Sequence, residues 1–184
     1  MHPKRLLVLS LLTILFAAAT PTPVVFDVTP LQQLYILKEL KPDVQRVGIL
    51  WDKATSRDDI LPQIQRAGAT AGVQVVIGAV GDVKEIASMF RELVRTNEID
   101  ALWIVADDHV VGTDIGRKFL VKSAAEHRIP ILAPSAAWVN EGAAIALKKE
   151  GDAISLLVNK AAAQAVALNI PDKYLERTQF LAGR

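Results

Sequence analysis

The feature that most constrains the fold of this chain is a regular alternation of two hydrophobic patterns. Short runs of valine, isoleucine and leucine alternate with longer segments in which apolar residues recur every three to four positions. The first pattern is typical of buried strands, and the second is typical of helices that pack on one face. Residues 101–106, which read ALWIVA, indicate a strand buried on both faces. Because strands and helices alternate, the sequence predicts an α/β fold, a doubly wound parallel sheet of the Rossmann or flavodoxin three-layer kind.

The predicted elements follow one another without an internal repeat or a linker, so we expect residues 24–184 to form a single domain. Strands are predicted at 24–28, 46–51, 73–80, 101–106, 129–133, 143–147 and, as a shorter one, 154–158. Helices are predicted at 30–41, 58–71, 82–94 and 113–127, with an alanine-rich one after Asn159 and a short one from Pro171. Caps support these boundaries, since Thr29 precedes a proline, and Asp82 and Glu85 have the spacing of a capping box.

The N-terminal residues have the pattern of a targeting signal. Lys4 and Arg5 precede an apolar run over residues 6–19, which ends in three alanines. A charged start, a short apolar middle and a small-residue end define a secretory signal. The run is shorter than the roughly 20 residues that span a bilayer. We therefore expect a cleaved signal peptide at 1–19 and a periplasmic or secreted protein, with no lipid anchor because the chain has no cysteine.

Composition and motifs argue against several functional classes. The chain has 21 basic and 20 acidic residues, which is not the charge footprint of a nucleic-acid-binding protein. No G-x-G-x-x-G or P-loop motif follows a predicted strand, and Ser135 lacks the flanking glycines of a hydrolase nucleophile. The run Asp107-Asp108-His109 is a poor metal cluster, because consecutive side chains point apart. We expect no metal, no cofactor and no enzymatic activity.

Candidate binding residues lie in the loops that follow the predicted strands. Open parallel sheets bind ligands beyond the carboxyl ends of their strands, near the point where the strand order reverses. A tryptophan there can stack on a flat ligand while carboxylates and hydroxyls fix its polar groups. The candidate ligand-binding residues are Trp51, Asp52, Ser56, Asp107, Asp108 and Ser135. The alternative is structural: Trp51 is a core residue at a strand end, and the aspartates cap helices or form turns.

Five stretches of the chain occur in an order that resembles a known family. They are 41–52 (KPDVQRVGILWD), 97–111, 127–131 (HRIPI), 141–143 (EGA) and 159–171, with its NKAAA and NIP. Together they resemble the ABC transporter substrate-binding proteins of the type I periplasmic-binding class, in the branch often associated with aromatic amino acids. The resemblance implies that Trp51, Asp52 and Asp107 face the cleft and that Ser135 lies in the next cleft loop.

The resemblance also implies a function and a departure from the usual architecture. Family members normally have two lobes joined by a hinge, whereas this chain resembles about one lobe. The implied function is binding of a small, amino-acid-like solute for uptake or sensing, together with an ABC permease or a membrane sensor. A homodimer would rebuild a cleft from two lobes. The alternative is a non-transport module that contacts a sensor or permease, with Trp51, Trp138 and Tyr174 as interface anchors unless these side chains are core.

Overall fold

A single mixed sheet organises the residues that the computed structural model describes, 27–54 and 60–182. The strands are β1 (Arg46–Asp52), β2 (Gln74–Val80), β3 (Ala101–Trp103), β4 (Ile131–Ala133), β5 (Ile145–Glu150), β6 (Ala153–Asn159) and β7 (Thr178–Leu181). The helices are α1 (Pro30–Leu40), α2 (Ile60–Ala71), α3 (Val83–Arg95), α4 (Asp114–Glu126), α5 (Ala136–Glu141), α6 (Lys160–Ala165) and α7 (Asp172–Leu175).

The strand order confirms the predicted fold class. The sheet runs β2-β1-β3-β4-β5-β6-β7, and its first five strands are parallel. The order 2-1-3-4-5 is that of flavodoxin-like folds, in which the connections change direction between β1 and β3. The crevice expected for a ligand therefore lies where β1 and β3 end.

The sheet departs from the prediction of a wholly parallel arrangement at β6. Strands β5 and β6 pair antiparallel, from Ile145 with Val158 to Glu150 with Ala153. Only Gly151 and Asp152 connect them, and Gly151 has a φ of 60°. Two residues suffice for a hairpin, whereas a parallel crossover needs a dozen or more. Strand β7 then returns parallel to β6 through α6 and α7.

Two apolar clusters, one on each face of the sheet, give the three layers. On one face α1 and α2 cover β1 and β3, with Leu37, Ile64 and Trp103 fully buried. The indole N–H of Trp103 donates to Gln33 Oε1 of α1 at 3.0 Å. On the other face α3, α4 and α5 cover the sheet, and Phe90 is among the largest buried side chains there.

The caps follow the sequence closely, with one difference. Thr29 and Gln32 form a capping box at the start of α1. Asp82 caps α3 by accepting the N–H of Lys84. The predicted partner Glu85 accepts the N–H of Gly81 at 2.7 Å, one residue before the cap. The capping-box prediction is therefore correct for the helix start and wrong for the partner.

Other differences concern short elements. Of the predicted strand 24–28, residues 24–26 lie outside the described part, and residues 27 and 28 form a bend. The segment 134–138, expected as a loop, includes the start of α5, and β7 was not predicted. Strand β3 ends at 103, although Ile104 N–H still donates to Leu132 O at 2.9 Å.

The predicted signal peptide, residues 1–19, lies outside the described residues. None of the helices within 27–54 and 60–182 combines the length and the apolar character needed to cross a bilayer.

A polar contact ties the C-terminal helix α7 to α1. Glu39 of α1 accepts hydrogen bonds from Lys173 Nζ and from Tyr174 Oη. Burial alone would raise the pKa of Glu39, but these hydrogen bonds and the Lys173 charge outweigh it and hold the pKa below the ordinary value of 4.5. Burial and the Glu39 carboxylate in turn raise the pKa of Tyr174. The ionised carboxylate is the form that fastens α7.

We predict that Glu39→Gln lowers the free energy of unfolding by about 1 kcal/mol at pH 7, because it removes a partly exposed ion pair. The stabilisation from Glu39 is fully present above its unfolded-state pKa of about 4.5 and is lost as the pH falls through the lower folded-state pKa. In urea denaturation, the free energy of unfolding of the variant should therefore differ less from that of the wild type at pH 3 than at pH 7. Glu92→Gln, at an exposed position on α3, is the control; equal losses from both variants at pH 7 would contradict the prediction.

Candidate functional site

The loops that carry the predicted site residues meet at one edge of the sheet. Asp52 is the last residue of β1, Asp107 and Asp108 follow β3, and Ser135 follows β4. Strand β3 lies between β1 and β4, and all three are parallel. Their carboxyl ends consequently face the same way, at the crevice that the strand order defines.

Asp108 joins the ends of the two central strands. Its Oδ1 accepts the backbone N–H groups of Val110 and Val111, the first at 2.9 Å. Its Oδ2 accepts the N–H of Asp52, at the end of β1, at 2.8 Å. Both carboxylate oxygens are thus occupied by backbone donors, so the geometry of Asp108 is that of a structural tie.

Trp51 and Asp52 are buried at the end of β1. Trp51 is 5% exposed and belongs to the apolar cluster beneath α1 and α2. Asp52 is 6% exposed, and its Oδ1 accepts the N–H of Ala54 at 2.8 Å, which shapes the turn after the strand. The structural interpretation of these two residues fits this geometry, and their contact with a ligand stays a prediction. Ser56 lies in 55–59, outside the described residues.

Asp107 is the carboxylate that this edge presents to solvent. Its side chain is exposed, and its Oδ1 accepts the indole N–H of Trp138. Trp138 is itself fully buried in α5, so a rigid core side chain fixes one oxygen of an exposed carboxylate. Sequence reasoning placed Trp138 among the possible interface anchors and missed this positioning role. The signal was available, because Asp107 and Trp138 follow neighbouring strands.

Arg117 links helices α4 and α5 next to the same edge. Its guanidinium donates to both carboxylate oxygens of Glu141, at 2.9 and 3.2 Å, and to Asp114 at 2.6 Å. These contacts clamp α4 against α5, next to the loop of Asp107. The hydrogen bonds to Glu141 raise the pKa of Arg117, and the charge of Asp107 contributes to the same shift. Arg117 was not among the residues predicted from the sequence.

Ser135 borders a cavity of about 370 Å³ between α5 and strands β5 to β7. Its Oγ is buried and has no hydrogen-bond partner among the described residues. Asn140, Lys148 and Gln179 supply further polar side chains to the wall. A buried hydroxyl without a partner costs free energy unless a ligand or water satisfies it.

The functional groups at this edge are suited to hydrogen bonds and charge pairing with a ligand. Within 27–54 and 60–182, no group of three or more histidine, aspartate or glutamate side chains is arranged to hold a metal ion. The edge offers the exposed carboxylate of Asp107 and the unpaired hydroxyl of Ser135, and the exposed carboxylate of Asp27 borders the cavity beside Ser135.

Comparison with protein-family models identifies the chain. Residues 22–154 match the family described as ABC transporter substrate binding protein. The chain belongs to this family. The resemblance to this family is thereby confirmed, and the first four of the five stretches lie within the matched residues. The fifth stretch, 159–171, lies beyond the match, and the branch associated with aromatic amino acids stays a prediction. A comparison with curated proteins gives no significant match.

Solved structures of similar fold include three bacterial proteins. One is an ABC domain from Streptococcus pneumoniae in complex with L-Trp, with a TM-score of 0.69, 22% identity, and coverage of 83% of this chain and 61% of that one. A conserved domain protein from Vibrio cholerae has a TM-score of 0.69 and 16% identity, covering 82% of this chain and 60% of that one. CD0873 from Clostridium difficile, a substrate binding protein with adhesive properties, has a TM-score of 0.68 and 17% identity, covering 83% and 59%.

The chain spans about three fifths of the length of these structures. Their fold is shared, and the described part of this chain amounts to about one lobe of a periplasmic-binding-protein-like architecture.

We predict that Asp108→Ala lowers the free energy of unfolding by about 3 kcal/mol, because it leaves several backbone N–H groups without an acceptor. Asp114→Ala, which removes an exposed carboxylate from the first turn of α4, should cost less than about 1 kcal/mol. Urea denaturation of both variants measures the difference. A loss from Asp108→Ala no larger than that from Asp114→Ala would mean that Asp108 is not a structural tie.

Proposed function

We propose that the chain binds a small, amino-acid-like solute at the carboxyl edge of β1, β3 and β4, outside the cytoplasm, for uptake or sensing. Its role on this proposal is binding without catalysis, in keeping with membership of the substrate-binding family. The observation that carries the proposal is the exposed Asp107 carboxylate, held by the indole of Trp138.

The charge pattern of the edge suits a molecule with an ammonium group. Asp107 is prepositioned, so a ligand ammonium gains a charge-assisted hydrogen bond without first ordering the carboxylate. Asp108 is occupied by backbone donors and Asp52 is buried. We infer that Asp107 provides the acidic contact and that the other two shape the loop around it.

The neighbouring loop supplies donors for the opposite end of such a molecule. Ser135 directly precedes helix α5, whose Trp138 positions Asp107, so the unpaired hydroxyl lies three residues from the side chain that holds the carboxylate. Asn140 and Gln179 add amide groups to the cavity wall, while the charge of Lys148 is paired with Glu150 at 3.0 Å. A carboxylate in the cavity would satisfy these donors. The similar protein from Streptococcus pneumoniae, described in complex with L-Trp, supports a solute of this class.

A single edge of the sheet encloses only one side of a solute, whereas tight sites bury most of the ligand surface. We propose that a second copy of the chain, a permease of the ABC type or a membrane sensor covers the other side. The predicted signal peptide at 1–19 supports a periplasmic or secreted location for this assembly.

A second candidate is a non-transport module that contacts a membrane sensor or permease without a solute. The aromatic anchors first considered for such a contact are buried: Trp51, Trp138 and Tyr174 are 5%, 0% and 7% exposed. A pull-down from an envelope extract that recovers a sensor or permease, combined with no solute binding, would favour this module.

The test of solute binding is isothermal titration of the protein against the standard amino acids and short peptides. For any solute that binds, we predict that Asp107→Asn weakens the affinity by about tenfold or more, because it removes a charged hydrogen-bond acceptor. Asparagine keeps an oxygen that accepts the Trp138 N–H, so the thermal midpoint should change by no more than a few degrees.

Asp172→Asn is the matched control, because this exposed aspartate lies on α7, away from the strand ends. It should leave the affinity unchanged. Equal weakening by both variants would show that Asp107 does not contact the solute. If none of the amino acids or peptides in the panel gives a binding signal, the proposal of a solute carrier is wrong.

A further inference from the structure

We propose that a groove between α1, α2 and α7 is a second ligand site, which takes an amphipathic anion: an apolar or aromatic body with one carboxylate or sulfonate group. The groove has a volume of about 510 Å³. Helix α1 forms one side of the groove, and the remaining walls come from α2, β6 and α7. The lining residues are Leu31, Gln32, Tyr35, Ile36, Thr70, Ile154 and Tyr174. We call it the α1 groove.

Most side chains that line the α1 groove are apolar or aromatic, and its exposed polar ones are Gln32 and Thr70. Leu31 is 40% exposed and Tyr35 is 58% exposed, one helical turn apart on the same face of α1. Leu31 and Thr70 also border an adjoining depression of about 260 Å³. Scattered exposed apolar residues need no explanation, but a concave, contiguous group of them is typical of a binding site.

The charges around the groove select an anion. Arg66 lies in the adjoining depression, and Arg177 lies 5.7 Å from the centre of the Tyr174 ring. Neither arginine forms an ion pair with any residue that the structure describes. The nearby carboxylate of Glu39 is already engaged by Lys173 and Tyr174. Two guanidinium groups without an ion pair among the described residues therefore lie beside the α1 groove, one across Thr70 and one against Tyr174. Guanidinium groups are good partners for a carboxylate or sulfonate.

The α1 groove is separate from the solute edge. It lies on the face of the sheet covered by α1 and α2, whereas the cavity beside Ser135 is bordered by α5 on the opposite face. This proposal does not depend on the proposed solute function, and each can fail alone. A concave groove of this volume favours a soluble anion over a flat membrane surface, and the chain's net charge of only +1 adds little attraction to an anionic bilayer.

The test uses two related dyes. The first, 1-anilinonaphthalene-8-sulfonate, carries a sulfonate, and the second, N-phenyl-1-naphthylamine, has the same aromatic body without the charge. Fluorescence titration of the full chain should show one saturable site for the sulfonate dye, and decanoate should displace it. We predict that Leu31→Asn weakens both dyes by about tenfold, since it removes apolar contact area. Arg66→Gln should weaken only the sulfonate dye, by about fivefold.

The control for the apolar contact is Ile115→Asn, which alters a 72% exposed side chain on α4, on the other face. It should change neither affinity. If Ile115→Asn and Leu31→Asn have equal effects, or if the sulfonate dye does not saturate, the α1 groove is not a ligand site. If Arg66→Gln weakens both dyes equally, the preference for an anion is wrong. Stronger binding to vesicles of anionic lipid than to decanoate would overturn the proposal in favour of a membrane surface.

Discussion

The carboxylate of Asp108 is the constraint on which the ligand-facing edge depends. At the reversal of strand order, β1 leads into α2 on one face of the sheet and β3 leads into α4 on the other. The two strands diverge there, so backbone N–H groups beyond their ends have no carbonyl partner in the neighbouring strand. Asp108 accepts the N–H of Asp52 across the gap and the N–H groups of its own loop. One side chain therefore satisfies backbone donors at the end of β1 and in the loop that follows β3.

Two adjacent aspartates have opposite roles as a result. Because Asp108 is turned inward to the backbone, Asp107 is turned toward solvent. A buried tryptophan needs an acceptor for its indole N–H, and Trp138 finds it in Asp107. The same hydrogen bond that satisfies the core also fixes the exposed carboxylate. This hydrogen bond therefore serves both the stability of the core and the proposed recognition of a ligand. It explains how a loop can hold the Asp107 carboxylate in a defined position.

The fold was predictable because it depends on periodicity, whereas much of the site was not. The alternation of apolar runs and amphipathic segments predicted the parallel strands and their helices, and the strand ends pointed to Asp107 and Ser135. The pattern could not show which of two adjacent aspartates turns inward, because loop geometry decides that. Nor could it show that Trp51 belongs to the core, since an apolar residue at a strand end suits either role. The β5–β6 hairpin was missed although its two-residue connection, Gly151-Asp152, is too short for a crossover.

The C-terminal part of the chain covers the edge of β5. The family match ends at residue 154, just inside β6. Without β6 and β7, strand β5 would be an unpaired edge, and edge strands readily pair with other chains. The hairpin pairs β5 along its whole length. Helix α7 then reaches across to α1, where Glu39 accepts from both Lys173 and Tyr174. Because β7 begins three residues after α7 ends, this contact also anchors the last strand, which forms the edge of the sheet on that side.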